Sequence, residues 1–155
     1  MATARSDAYY RLLGTLANSR LVTRLHPVVY RLAGGRGLLG RNLALNVVLT
    51  TTGRRSGRPR DVPLLAFPDG DAIVVVASKN GSDREPAWLW NLRTQPEAHV
   101  RVGREVRVVR AREAIGDERA RLWSAVVEAY GGYAVYQRRT TRPIPIVVLE
   151  RAGEG

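Results

Sequence analysis

The spacing of apolar residues divides the chain into a helical opening, a run of strands and a mixed closing part. Over residues 7–33, Tyr9, Leu12, Leu13, Leu16 and Ala17 recur three and four apart, and Leu21, Leu25, Val28, Val29 and Leu32 repeat the rhythm. That period gathers them on one side of a helix. Asn18-Ser19 marks a break, Pro27 starts or bends the second piece, and the glycine-rich stretch 34–37 ends it. Strands follow. Residues 43–52 are rich in Val, Leu and Thr, 60–67 form a second strand and 72–78 a third, with turns at 53–59 and 68–71. Positions 73–76 are all apolar, the pattern of a strand buried on both faces.

Ser82 or Asp83 offers a cap for a helix with Pro86 in its first turn, and Trp88, Leu89 and Leu92 share one side of it before Pro96. Residues 99–102 and 105–111 alternate apolar with polar around Gly103-Arg104, as in a hairpin exposed on one face. Asp117 caps a third helix whose buried stripe is Leu122, Trp123, Val126, Val127 and Tyr130. Gly131-Gly132 ends it, Tyr133 and Tyr136 fall on a loose turn, and 144–149 make the last strand. The pattern predicts an α+β fold: a mainly antiparallel sheet curled into a barrel, inserted helices and an N-terminal helical segment. The organisation expected is a basic amphipathic segment over 1–41 and a barrel domain over 42–155. A βαβ dinucleotide fold does not fit, because three strands arrive in succession and no G-x-G-x-x-G follows a strand.

Composition narrows the chemistry. With 155 residues, 45% apolar and 25% charged, the chain is one ordinary globular domain. The lack of cysteine removes thiol nucleophiles and cysteine-held zinc or iron–sulfur centres and fits a reducing compartment. His26 and His99 lie too far apart for a histidine metal motif, so no metal is expected. The net charge of +11 asks for an anionic partner. Lys79 is the only lysine, and residues 1–41 hold seven arginines against Asp7 alone. That basic amphipathic segment suits either an anionic membrane surface or packing on the domain. With no apolar run of 18 residues and no secretory leader pattern, the expectation is a cytoplasmic protein, peripheral on the inner membrane face if the segment meets lipid.

Four features can carry chemistry. Between Gly53 and Arg60 stand Arg54, Arg55, Ser56, Arg58 and Arg60, four arginines in eight residues. Guanidinium forks match phosphate and carboxylate oxygens, and glycine lets backbone amides approach them. The turn reads as an anion site or as a solvated hairpin tip. It lacks the lysine-Ser/Thr ending of a P-loop, and the scarcity of neighbouring aromatics argues against nucleic acid. Ser78 and Lys79 follow the apolar third strand, where polar groups line a pocket mouth or begin a turn. Trp88 and Asn91, three apart on a helix, set an indole and an amide toward one cavity or into the core. Tyr130, Tyr133 and Tyr136 cover a planar ligand or edge the core. No acid–base constellation appears, so an enzyme of this sequence needs a cofactor to bring the reactivity.

Taken in order, LTTTGRRSGRPRDVPLL at 49–65, IVVVASKNG at 73–81, PAWLWNL at 86–92 and RPIPIVVLER at 142–151 resemble the deazaflavin-dependent nitroreductase family, of the F420H2-dependent quinone reductase type. The likeness covers roughly residues 45–151. It implies a split β-barrel and coenzyme F420, a deazaflavin carrying a phosphate and an oligoglutamate tail. On that resemblance, Arg54, Arg55, Ser56, Arg58 and Arg60 would meet the tail anions. Val62, Pro63, Leu64 and Leu65 would pass along the ring, with Val76, Ala77, Ser78 and Lys79 on its phosphate side. Ala87, Trp88 and Asn91 would close the pocket, and Tyr130, Tyr133 and Tyr136 would shape the acceptor site, Tyr133 also touching the cofactor. Hydride would pass from the ring to a quinone, menaquinone-like, or to a nitroaromatic, with the proton from a tyrosine, Ser78 or water. Leu65 departs from the tyrosine that nitroimidazole-activating members tend to carry there. Three other readings stay open: a carrier that binds F420 without turnover, a nucleic-acid-binding barrel, and an FMN-binding barrel.

Overall fold

The computed structural model describes residues 44–153. The expected helix over 7–33 and the boundary at 41–42 lie outside them. Six strands, β1 (Leu45–Thr52), β2 (Pro59–Asp69), β3 (Ala72–Val76), β4 (Glu97–Val102), β5 (Glu105–Glu113) and β6 (Ile146–Arg151), close into one antiparallel barrel in the order β1-β2-β3-β6-β5-β4. A 3₁₀ turn (Lys79–Gly81) and helix α1 (Ala87–Thr94) bridge β3 to β4, and helices α2 (Gly116–Ala129) and α3 (Gly132–Arg138) bridge β5 to β6. The expected α+β barrel is therefore present. No helix among the described residues is long and apolar enough to cross a membrane.

The two-residue period of the strands sorts their side chains into two cores. Ile73, Val75, Val147 and Leu149 point into the barrel with Val47, Leu49, Val100 and Val109. Their neighbours Val74, Val76, Ile146 and Val148 point outward, where Leu122, Val126, Tyr133 and Tyr136 of the helices cover them. The apolar run of β3 is thus buried on both faces, one by the barrel and one by helices. Helix α1 plugs the barrel end, giving Trp88, Leu89 and Leu92 to the inner core. The outer face of the β4–β5 hairpin stays open, with Val106 and Val108 about half exposed.

Pairing along β2 is uneven, and the site depends on that. Residues 59–66 pair with β1, but only 66–69 pair with β3. The barrel is therefore split beside 59–65. Pro63, which has no amide hydrogen to offer, stands in this one-sided stretch, where proline is tolerated.

Three local expectations change. Helix α1 begins at Ala87 after Pro86, and neither Ser82 nor Asp83 caps it. Instead the Ser82 hydroxyl accepts from the Arg84 amide and Asp83 accepts from the Thr140 hydroxyl. Asp117 lies inside the first turn of α2, after Ile115, and Tyr130 leaves the helix in an extended conformation. The tyrosine segment is helix α3, not a loose turn. The Tyr130 ring lies over Gly132, leaving no room for a Cβ, so the two glycines make a tight corner between helices.

Because Leu49 is fully buried in the barrel, Leu49→Ala should cost about 2–5 kcal/mol of unfolding free energy in denaturant titration. On the open hairpin face, Val108→Ala should stay within about 0.5 kcal/mol.

Candidate functional site

A cavity of about 850 Å³ occupies the split in the barrel. One wall is the unpaired half of β2, with Arg60, Val62, Pro63, Leu64 and Leu65. Facing it are Val76 at the end of β3 and Ser78 and Lys79 beyond it. Ala87, Trp88 and Asn91 of α1 form the barrel end, Tyr130, Tyr133 and Tyr136 the helical end, and Arg54, Arg55 and Ser56 the rim. Seventeen of the nineteen residues singled out in the sequence line this one space. The two that do not are Arg58 and Ala77. Arg58 stands on the far arm of the turn, where its carbonyl accepts from the Gly53 amide. The Ala77 side chain is buried in the barrel core. Gly53, Asp61, Asn80 and Pro86 also line the cavity, and none of them stood among the nineteen.

The turn after β1 is built to present arginines. Gly53 and Gly57 bond to each other's arm, Gly57 at φ 66°. Ser56 Oγ accepts from Arg60 Nη2 at 3.4 Å and from the Arg58 amide at 3.3 Å. Asn91, nearly buried, accepts from the Arg54 amide at 3.0 Å and donates to Thr51 Oγ1 at 3.0 Å. Its amide therefore fastens the turn to α1, a positioning task beside its place in the cavity lining. Among the described residues, no carboxylate pairs with Arg54, Arg55 or Arg60. Elsewhere arginines are matched: Arg93 with Glu85 and Glu113, Arg112 with Glu118 and Glu150, Arg121 with Asp69. Four cationic side chains and one carboxylate, Asp61, line the cavity. That rim attracts anions.

Sequence and structure comparisons agree with this geometry. A family model described as F420H(2)-dependent quinone reductase matches residues 22–151. An F420H(2)-dependent quinone reductase of Mycobacterium tuberculosis is 40% identical over 134 residues, covering 83% of this chain and 89% of that protein. A solved F420-H2 dependent reductase is 39% identical, with a TM-score of 0.64 over 75% of this chain and all of that one. A second solved structure, described as a domain-swapped dimer, is 36% identical, with a TM-score of 0.65 over 81% of this chain and 96% of that chain. This chain belongs to the F420H2-dependent quinone reductase family.

In this family member the tyrosines form one aromatic cluster. Tyr130 and Tyr133 meet edge to face at 5.2 Å, Tyr133 and Tyr136 at 6.1 Å, and Phe67 backs Tyr133 at 5.9 Å. The Tyr130 and Tyr136 hydroxyls lie 3.3 Å apart and share a hydrogen bond. Burial, with a smaller contribution from Tyr136, holds the Tyr133 phenol well above its ordinary range. At neutral pH all of its capacity is that of a neutral donor.

Arg142 escaped sequence reasoning, although it opens the last matching stretch. Its Nε donates to the Ser82 carbonyl at 2.8 Å, and its Nη2 to the carbonyls of Ser78 at 3.0 Å and Ala77 at 3.2 Å. The loop it grips carries Lys79 at φ 44° and Asn80 at φ 57°, left-handed conformations that disfavour side-chain-bearing residues. Arg139 adds a bond to the Asn80 carbonyl and Thr140 one to Asp83. Gly81, at φ 78°, packs so tightly on the Tyr136 backbone that a Cβ would overlap its carbonyl oxygen. Residues 136–142 thus strap Ser78 and Lys79 to the tyrosine helix. No local pattern signals this, because the contacts span about sixty residues.

Two outcomes follow. Tyr133 keeps its proton in the fold above the ordinary phenol value of about 10, so folded stability should fall as pH rises past that value. Tyr133→Phe should flatten that decline in alkaline denaturation curves and leave the phenolate absorbance below about pH 11 unchanged. Arg142→Leu should cost about 1.5–3 kcal/mol through lost charged hydrogen bonds and speed amide exchange at Gly81 and Ser82.

Proposed function

We propose that this protein is an oxidoreductase that uses reduced coenzyme F420 to reduce a flat, apolar acceptor, a menaquinone-like quinone or a nitroaromatic. The observation that carries the reading is a rim of arginines, without carboxylate partners among the described residues, over an apolar cleft in the split barrel. The cofactor has the same two-part chemistry, a planar ring and a string of phosphate and carboxylate anions. The residues present fit it: Arg54, Arg55, Arg60 and Lys79 offer the cations, and Val62, Pro63, Leu64, Leu65, Val76 and Trp88 offer apolar walls.

Under this proposal, reduced F420 supplies the hydride, and the chain's own residues bind, orient and manage the proton. Paired guanidinium donors hold phosphate at roughly 1.5–3 kcal/mol, whereas exposed arginine–glutamate pairs give about 0–1 each. Burial of an aromatic ring at about 25 cal/mol per Å² outweighs any one tail contact. The rim therefore selects and the cleft retains. The acceptor would lie against Tyr130, Tyr133 and Tyr136, whose hydroxyls can donate to a developing oxyanion, as can Ser78 across the cleft. Leu65 withholds a hydroxyl from that end, which favours quinones over nitroimidazoles. The basic segment 1–41 would bring the enzyme to an anionic membrane where such quinones reside.

Titration of deazaflavin fluorescence tests the reading. Wild type should show saturable quenching at micromolar F420. A variant with Arg54, Arg55 and Arg60 replaced by alanine should bind about tenfold or more weakly at low salt, with the gap narrowing as salt rises. Equal affinity of variant and wild type would show that the turn does not hold the tail.

A further inference from the structure

Trp90 is a large aromatic residue left 41% exposed on α1, outside both cores and outside the cavity. Two guanidiniums lie over its ring, Arg93 at 4.8 Å and Arg54 at 5.5 Å from the centroid. Their charges are in different states. Arg93 is gripped by Glu85 and Glu113, with contacts at 2.6 Å to each, which pin its position and neutralise it. Arg54 has no carboxylate partner among the described residues. The indole thus gives a fixed face to an arginine whose charge is still available, and the carboxylates behind Arg93 remove the repulsion that a second bare cation would exert.

Main chain and side chain of Arg54 are held from the same helix. The Asn91 Oδ1 accepts from its amide at 3.0 Å, and the ring of the preceding residue, Trp90, supports its guanidinium. An arginine at the tip of an exposed turn otherwise loses much side-chain freedom when it grips an anion, at a cost of about 0.5–1.5 kcal/mol. A guanidinium already resting on an aromatic face has lost part of that freedom before the ligand arrives.

From this we propose that Trp90 is a specificity-determining residue, a shelf that pre-aims Arg54 at the anionic tail of the cofactor while touching neither the ring nor the acceptor. The proposal rests on the reading of the cleft as an F420 site and adds to it the residue that discriminates cofactor with its tail from the bare chromophore. Trp90 lies on the solvent side of α1, so its replacement leaves the barrel core intact.

The test is a fluorescence titration with two ligands: F420, and the same deazaflavin with its ribityl chain but without phosphate and glutamates. Trp90→Leu should weaken F420 binding by about threefold to tenfold and leave the tailless ligand within about twofold of wild type. Trp90→Phe, which keeps an aromatic face, should restore part of the loss. In a double-mutant cycle, Trp90→Leu should weaken F420 binding clearly in wild type and little further in Arg54→Ala, since the shelf acts only through Arg54. Unchanged F420 affinity in Trp90→Leu overturns the proposal. So does equal weakening of both ligands, which would make Trp90 a general structural residue, and so does full additivity in the cycle. Wild-type protein that binds neither ligand overturns the F420 reading itself, and the shelf falls with it.

Discussion

Strand β2 pairs with β1 over residues 59–66 but with β3 only over 66–69, and the rest of the site depends on that shortfall. A barrel with complete ladders has an interior filled by side chains. Here β3 stops at Val76 and the chain turns away through the 3₁₀ turn, so 59–65 face a gap. The inner core plugged by α1 lies at one end of the gap and the tyrosine cluster at the other. An open strand edge invites pairing with another chain. Pro63 blunts it and arginines crowd its start, so the edge opens on a cleft without advertising a continuous ladder.

Keeping the gap open requires a second device. The loop leaving β3 passes through two left-handed residues, Lys79 and Asn80, and such backbone persists only where its surroundings over-determine it. The surroundings are Arg142, Arg139, Thr140 and the Tyr136 backbone over Gly81. A half-buried guanidinium that meets three carbonyls and leaves its buried Nη1 without a partner among the described residues is costly on its own account. Its return is that Ser78 and Lys79 stand at a fixed distance from the tyrosines. The two walls of the cleft, distant in sequence, thus behave as one rigid surface.

Much of this was legible in the residues, and the limits have physical causes. Strand positions could be read because alternation separates the inner core from the outer, and the unbroken run at 73–76 reported a strand with cores on both sides. The site could be read because its parts are local: four arginines between glycines, a lone lysine after a strand, tyrosines at regular steps. Helix α3 could not, since adjacent glycines signal flexibility unless one knows that the Tyr130 ring fills the space over Gly132. The second task of Asn91, holding the turn, was hidden for the same kind of reason. An amide at that spacing faces the cavity, and only the register of β1 with β2 brings Thr51 and the turn within its reach. Arg142 and Trp90 act through partners remote in sequence and carry no periodic signal at all.

Arginine is used in two opposite ways on this molecule, and the contrast explains where function sits. On the outer faces each guanidinium of the Arg93, Arg112 and Arg121 groups is tied to carboxylates, with hydrogen bonding to glutamate or aspartate raising its affinity for the proton. Those pairs are exposed, so each contributes little to stability. Their main consequence is that these charges are cancelled locally. At the rim of the cleft the cations lack such partners among the described residues, and several of them in one turn repel one another. A polyanion bound there relieves that repulsion, so under the proposed function the cofactor tail also stabilises the turn that holds it. The fold therefore gathers cations without carboxylate partners among the described residues beside an apolar gap.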